Sequence, residues 1–266
     1  MHTTRVLVVL PLLATGCRQI EPAPSELQDL MKFFFTDFET AEDATMAEAF
    51  RNLDAAVDGG NLEYQEGFVD ALSKEATDAT GYAHADPADA IGLFIVNPIA
   101  CTMDQMVELV TMKDQIGTYG TYETLERTWV EAVPEFASGE SPTGMWSDDF
   151  HYKNGFLKID YTATTEGTGR WIPASDDYES PWGDMLVTRR VMIAPAENAE
   201  ADHSYPQDWR SEVYYERSTG EIVHLAAMWR EAVFGNLSHE DELAQRTLLN
   251  GLKDWDDASS DACAGR

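Results

Sequence analysis

Residues 209–234 read WRSEVYYERSTGEIVHLAAMWREAVF, two runs of aromatic and β-branched residues on either side of Ser218-Thr219-Gly220. Such side chains fit the pleated, half-buried surface of a strand. A short glycine-containing break between two such runs is the signature of a β-hairpin. In the second run Val223, Leu225, Ala227 and Trp229 alternate with Ile222, Ala226 and Met228, so both faces are apolar. A strand of that kind belongs inside a sheet covered on both sides. The fold is therefore expected to grow around a buried hairpin.

The strand-like composition continues upstream. Residues 121–132 carry Tyr, Thr, Leu, Trp and Val, and residues 185–193 are a further strand candidate. Leu157, Ile159, Tyr161 and Ala163 alternate with Phe156, Lys158, Asp160 and Thr162; Glu166-Gly167-Thr168-Gly169 then predicts a turn back into Arg170-Trp171-Ile172.

Before residue 118 the period becomes helical. Leu27, Leu30, Met31, Phe34, Phe35 and Phe38 share one helical face behind a Ser25–Gln28 capping box. A second helix opens at Thr40–Asp43 and stops at Gly59-Gly60. Asn61 predicts a third, with Leu62, Phe68, Val69, Leu72 and Ala76 inward. Residues 77–90 read as a loop, and Ile91 to Val96 as a strand or a buried turn. The Thr102–Gln105 box opens a helix that buries Met103, Met106, Val107 and Val110. Ser238 predicts a last helix with Ala244, Leu248, Leu252 and Trp255 on its buried stripe.

Together these elements predict an α+β protein: N-terminal helices and a C-terminal helix packed on one face of an antiparallel β-sheet of about five to seven strands. Residues 26–266 read as one domain, mainly helical over 26–117 and mainly β over 118–236, with a helix at 237–257 and a tail at 258–266.

The chain carries 48 acidic residues against 18 Lys+Arg, a formal charge of −30, and 11% aromatics. The aromatics supply a core that acidic disordered chains lack. The charge argues against nucleic acid as a partner and against electrostatic docking on anionic lipid, since both need clustered Lys and Arg. Scarce Lys with abundant acid looks like adaptation to a saline exterior.

Residues 1–17 read MHTTRVLVVLPLLATGC. Arg5 precedes an apolar run from Val6 to Leu13, which is far short of the roughly 20 residues that span a bilayer. It fits a secretory signal. The segment Leu13-Ala14-Thr15-Gly16-Cys17 resembles the lipobox of bacterial lipoproteins, with Ala14 at the place where a large aliphatic is usual. The resemblance implies a signal peptide over 1–16, removed before Cys17, and a diacylglyceryl group on the Cys17 thiol. Arg18, where an Asp would retain such a protein at the inner membrane, points to the outer membrane. Residues 17–25 would then be a lipidated tether and the membrane a partner through the N-terminal lipid. An ordinary exported protein, with Cys17 incidental, is the alternative.

Cys101 and Cys263 remain. In an oxidising compartment a lone pair commonly bridges, although two unrelated thiols fit the spacing as well.

Six of the seven Trp and eight of the ten Tyr fall within 118–236. They fill a core or line a hollow in a curved sheet, for which Trp171 and Trp229 are candidate ligand contacts. Alternation through Met185, Val187, Val191 and Ile193 puts Arg189 on the apolar face, a candidate anchor for an anionic group or half of an internal ion pair. Asp176, Asp177, Glu179 and Asp184 form a carboxylate cluster whose hard oxygens suit Ca²⁺, the one cofactor considered. Asp148 and Asp149, in loop-like sequence, are a candidate acid–base pair for glycan hydrolysis. No H-E-x-x-H, G-x-S-x-G, Walker or G-x-G-x-x-G motif is present, and the expected catalytic residues are none. The leading expectation is a non-catalytic, outer-membrane-anchored acidic lipoprotein with an envelope or interaction role. A carrier of a lipid or another hydrophobic ligand comes next, and a carboxylate-dependent glycan hydrolase third.

Overall fold

The computed structural model describes residues 22–57, 62–82, 84–120, 122–155, 158–178, 180 and 182–265. The lipobox with Cys17, the Gly59-Gly60 stop, Asn61, Phe156, Leu157 and Glu179 lie outside the described residues. The elements follow in chain order as α1 (Leu27–Thr36), α2 (Asp43–Val57), β1 (Gln65–Val69), α3 (Lys74–Asp78), β2 (Ile91–Ile99), α4 (Met103–Thr111), α5 (Ile116–Tyr119), β3 (Thr124–Glu131), α6 (Val133–Ala137), β4 (Thr143–Asn154), β5 (Ile159–Ile172), β6 (Met185–Met192), β7 (Glu197–Asn198), β8 (His203–Ser218), β9 (Glu221–Phe234), β10 (Leu237–Ser238) and α7 (Glu242–Ala264).

The fold is α+β, as the sequence predicts. All ten strands described form one open antiparallel sheet, with the main order β1-β2-β9-β8-β6-β5-β4-β3. The hairpin of residues 209–234 is its centre: β8 and β9 close at Ser218↔Glu221, with Gly220 at φ 81° in the left-handed region that glycine enters freely. Both faces of β9 are buried, for the reason its sequence gives. Val223, Leu225, Ala227 and Trp229 pack under α1 and α2, while Ile222, Ala226 and Met228 face α4 and α7. Helices thus cover both faces of the sheet, not one, because a strand apolar on both sides leaves two surfaces to bury.

The helical layer over the first face is tied down by cations. Arg170 donates to the carbonyls of Phe38 and Ala41 at 2.6 and 2.8 Å and to Asp43 at 2.6 Å, fixing the α1–α2 corner. On the other face α7 is held at its far end by a Cys101–Cys263 disulfide with Cα atoms 5.4 Å apart. Tyr119 stacks on Trp255 with centroids 4.9 Å apart, and its hydroxyl meets Ser259 Oγ at 3.2 Å.

Several local expectations give way to tertiary pairing. Residues 65–69 form a strand, not part of a helix, because they satisfy the open edge of β2 from Gln65↔Val96 to Val69↔Gly92. Phe68 is consequently 54% exposed instead of inward. Residues 166–169 do not turn. β5 runs straight through them, and Gly167 and Gly169 serve as bare backbone on which Trp146 and Phe136 lie. A Cβ there would come within 2.2 Å of Trp146 Nε1 and 2.4 Å of Phe136 Cζ. Asp148 and Asp149 sit within β4, not in a loop.

Helix ends also differ. Glu26 precedes α1 without a side-chain cap; Gln28 instead accepts from the Asp70 amide and donates to the Phe68 carbonyl. Ser238 pairs in β10, so α7 starts at Glu242. The segment 258–264 is helix, not tail, since Ser259 and Cys263 are buried against the core. The Thr102–Gln105 capping box forms as predicted. Among the described residues no helix is long and apolar enough to cross a membrane.

The bridge joins cysteines 162 positions apart, a closure worth about 2–5 kcal/mol through the entropy it removes from the unfolded chain. Replacing Cys101 and Cys263 by Ala should lower the urea-unfolding free energy by about that amount, with amides of 255–264 exchanging first. An unchanged unfolding free energy would show that packing alone holds α7.

Candidate functional site

The sheet face beneath α7 is polar at its middle and aromatic at its side. Strand alternation sends Thr188 and Arg190 of β6, Arg210 and Glu212 of β8, and His224, Met228 and Arg230 of β9 to this face, where all of them border one cavity. It measures about 170 Å³. Leu248, Gly251, Leu252 and Trp255 of α7 roof it, and Tyr122, Phe150, Tyr152, Tyr161 and Phe234 wall one side. Tyr161 on β5 and Phe234 on β9 meet with centroids 6.0 Å apart. Those strands would lie roughly 14 Å apart in a flat sheet, so the surface curls around the cavity.

Two buried ion-pair groups make the floor. In the first, Asp148 on β4 lies directly opposite Arg127 on β3 and takes its guanidinium in a fork, Nε at 2.6 Å and Nη2 at 2.8 Å. Arg190 donates to the same carboxylate at 2.5 Å. Arg127 Nη1 also donates to the carbonyls of Val110 and Met112, which pins the end of α4. In the second group Asp208 accepts from Arg210, Arg230 and the Tyr205 hydroxyl.

Burial alone would raise both carboxyls. Arg190 and Arg127 outweigh it at Asp148, and Arg210 and Arg230 at Asp208, so both stay below the ordinary carboxylate range. Burial likewise works against the charged form of Glu212. His224, then Arg190 and Arg210, overcome it and hold the group ionised.

His224 is the bridge to the roof. Its Nδ1 lies 2.7 Å from Asp256 Oδ1 on α7, with both side chains essentially out of solvent. It also stacks on Tyr214 with centroids 4.5 Å apart. Burial would lower the imidazole pKa, but Asp256 and Glu212 more than offset that and raise it above the ordinary 6.5. His224 Nε2, Asp256 Oδ2 and Trp146 Nε1 are buried with no hydrogen-bond partner among the described residues. The arrangement can therefore hold a small molecule that brings polar atoms as well as apolar surface.

No family model matches this chain, and no curated protein sequence does. Solved structures resemble it in arrangement only. Human StAR-related lipid transfer protein 5 is 7% identical, covers 84% of this chain and 97% of its own, and superposes with a TM-score of 0.47. For the Zhui aromatase/cyclase of Streptomyces sp. R1128 the identity is 9%, the coverage 65% and 91%, and the TM-score 0.38. A STAR-related lipid transfer protein of Xanthomonas axonopodis is 9% identical over 64% of this chain and 86% of its own, at 0.40. Likenesses at this level carry over neither ligand nor activity.

The residues singled out by sequence lie mostly outside the cavity. Arg189 itself borders the cavity, but its guanidinium turns to the opposite face, where it pairs with Glu39 and lies over the Phe38 ring at 4.9 Å. Trp229 is buried under α1 with its Nε1 donating to the Asp70 carbonyl at 2.9 Å. Trp171 donates to the Phe136 carbonyl at 2.8 Å and borders a separate surface hollow. Asp176, Asp177 and Asp184 lie in the 173–184 loop. Asp184 accepts from the Ala174 amide, and no group of potential metal ligands converges among the described residues. Asp148 and Asp149 point to opposite faces of β4. The first is neutralised by two arginines, while the second accepts from Thr164 at 2.5 Å, so they do not share a cleft as glycan hydrolysis requires.

The arginines of the floor belong to the seven that the sequence concentrates between residues 118 and 236, but no single strand reveals which of them converge. Arg127, Arg190, Arg210 and Arg230 are spread over more than a hundred positions, and only the register brings them together.

The raised pKa of His224 has a sign. Its stabilising contribution is complete below the unfolded value near 6.5 and fades as pH rises through the folded value. The melting temperature should fall as pH rises above about 6.5, and Asp256→Asn should flatten that part of the profile. Identical profiles for wild type and variant would contradict the assignment.

Proposed function

We propose that this chain is a carrier for a small hydrophobic molecule, held between α7 and the sheet and tethered to the outer membrane through acylated Cys17. The partly open cavity of about 170 Å³ between α7 and the sheet carries this reading. Its aromatic and aliphatic walls favour an apolar body, and its few converging polar groups favour one fixed orientation. A buried apolar cavity of about 150 Å³ takes up benzene. One ring or a short chain therefore fits, and a two-chain lipid does not. The cavity makes a carrier better supported than a bare interaction role. The tether rests on the lipobox-like segment ending at Cys17.

Native mass spectrometry of gently purified full-length protein should show a co-purifying small molecule. Leu252→Trp, which fills the cavity from α7, should abolish it. Protein that purifies at its own mass and takes up no benzene by chemical-shift titration would overturn the carrier reading. In the same preparations Cys17→Ala should move the protein out of the membrane fraction, and unchanged partitioning would refute the tether.

A further inference from the structure

Arg190 and Arg210 stand directly opposite one another on neighbouring strands. Like charges in that position repel, and both are largely buried. Each reaches a carboxylate, but neither carboxylate is its own. Asp148 already accepts the fork of Arg127, and Asp208 already accepts Arg230. Glu212, whose residue lines the cavity, accepts from Thr188 and from Tyr214. His224 and Asp256 satisfy one another at 2.7 Å and stand apart from these groups. Four guanidiniums thus face three carboxylates, a surplus of one positive charge inside a protein whose formal charge is −30.

The donors tell the same story. A guanidinium carries five N–H groups. Among the described residues Arg190 makes one hydrogen bond, from Nη2 to Asp148, and Arg210 makes two, both to Asp208. Their side chains keep 22% and 19% of their surface accessible, and both border the cavity. Unspent donors and an uncompensated charge therefore meet in the space that the aromatic walls enclose.

We infer that the molecule this cavity takes is a compact carboxylic acid in its anionic form, with its carboxylate between Arg190 and Arg210 and its ring or short chain against Phe150, Tyr161 and Leu252. This rests on the carrier reading and narrows it to an acid. A carboxylate brings the single charge that is wanting and two coplanar oxygens that match guanidinium forks. A phosphate monoester, at about −1.5 to −2, overshoots the surplus. An uncharged molecule of the same shape leaves the surplus and the donors unanswered.

Isothermal titration of the full-length protein with sodium benzoate, and separately with benzyl alcohol, tests this with two probes that share a ring and a size. At pH 7 benzoate should bind at least about tenfold tighter, the scale of one charge-assisted hydrogen bond gained. Arg190→Gln and Arg210→Gln should each remove most of that preference while leaving benzyl alcohol within about twofold. Either variant leaves its carboxylate with a second guanidinium, Arg127 or Arg230, so the floor stays paired. Lys253→Gln, on the outer surface of α7, should change neither affinity. Inorganic phosphate should not compete with benzoate.

If benzyl alcohol binds as tightly as benzoate, the acid is overturned and the carrier stands. Benzoate binding that is indifferent to both Arg variants overturns the location. If neither probe binds, the acid and the carrier fall together.

Discussion

The burial of charged groups on one face of the sheet is the constraint from which the rest of the architecture follows. Arg127, Asp148 and Asp208 are almost wholly out of solvent, and Arg190, Arg210 and Arg230 are largely so, keeping contact with the cavity. Removing such ions from water costs several kcal/mol each even after relaxation. Their mutual pairing offsets much of that, yet an apolar floor would stabilise the fold at least as well. A helix laid over this floor cannot close onto it as α1 and α2 close onto the opposite face, where Trp209, Val213, Leu225 and Trp229 interdigitate with Phe34, Phe35 and Phe50. The mismatch leaves the cavity.

The roof is therefore attached at particular points and not packed throughout. The Cys101–Cys263 bridge, the Tyr119–Trp255 stack and the His224–Asp256 pair fix the second half of α7. Leu249 and Leu252 are the buried apolar contacts of its first half, and Leu243 near its start is 53% exposed. Stability along the helix is graded as a result.

What could be read from the sequence follows this division. The hairpin at 209–234 was legible because both faces of β9 are apolar and Gly220 closes the turn. The helix after Thr102 was legible because its capping box is local. The helical spacing from Leu62 to Ala76 misleads, because an open sheet edge recruits residues 65–69 whatever their period. Gly167 and Gly169 read as a turn because the rings that lie on them, Trp146 and Phe136, come from other elements. The site was the least legible part. At Arg189-Arg190 alternation sends one arginine to each face, and the apolar neighbours drew attention to the one that pairs with Glu39. Only register, which no local pattern specifies, sets Arg190 against Arg210.

On the carrier reading, the buried charges on this face serve a ligand and not the fold. The most direct measurement is the urea-unfolding free energy of a variant in which the first group is replaced whole by apolar residues of similar size, Arg127→Met, Asp148→Leu and Arg190→Met together. Unfolding free energy within about 1 kcal/mol of wild type, or above it, is the predicted result, because the desolvation cost vanishes with the pairing. A loss of more than about 3 kcal/mol would contradict it and make the ion pairs part of the scaffold.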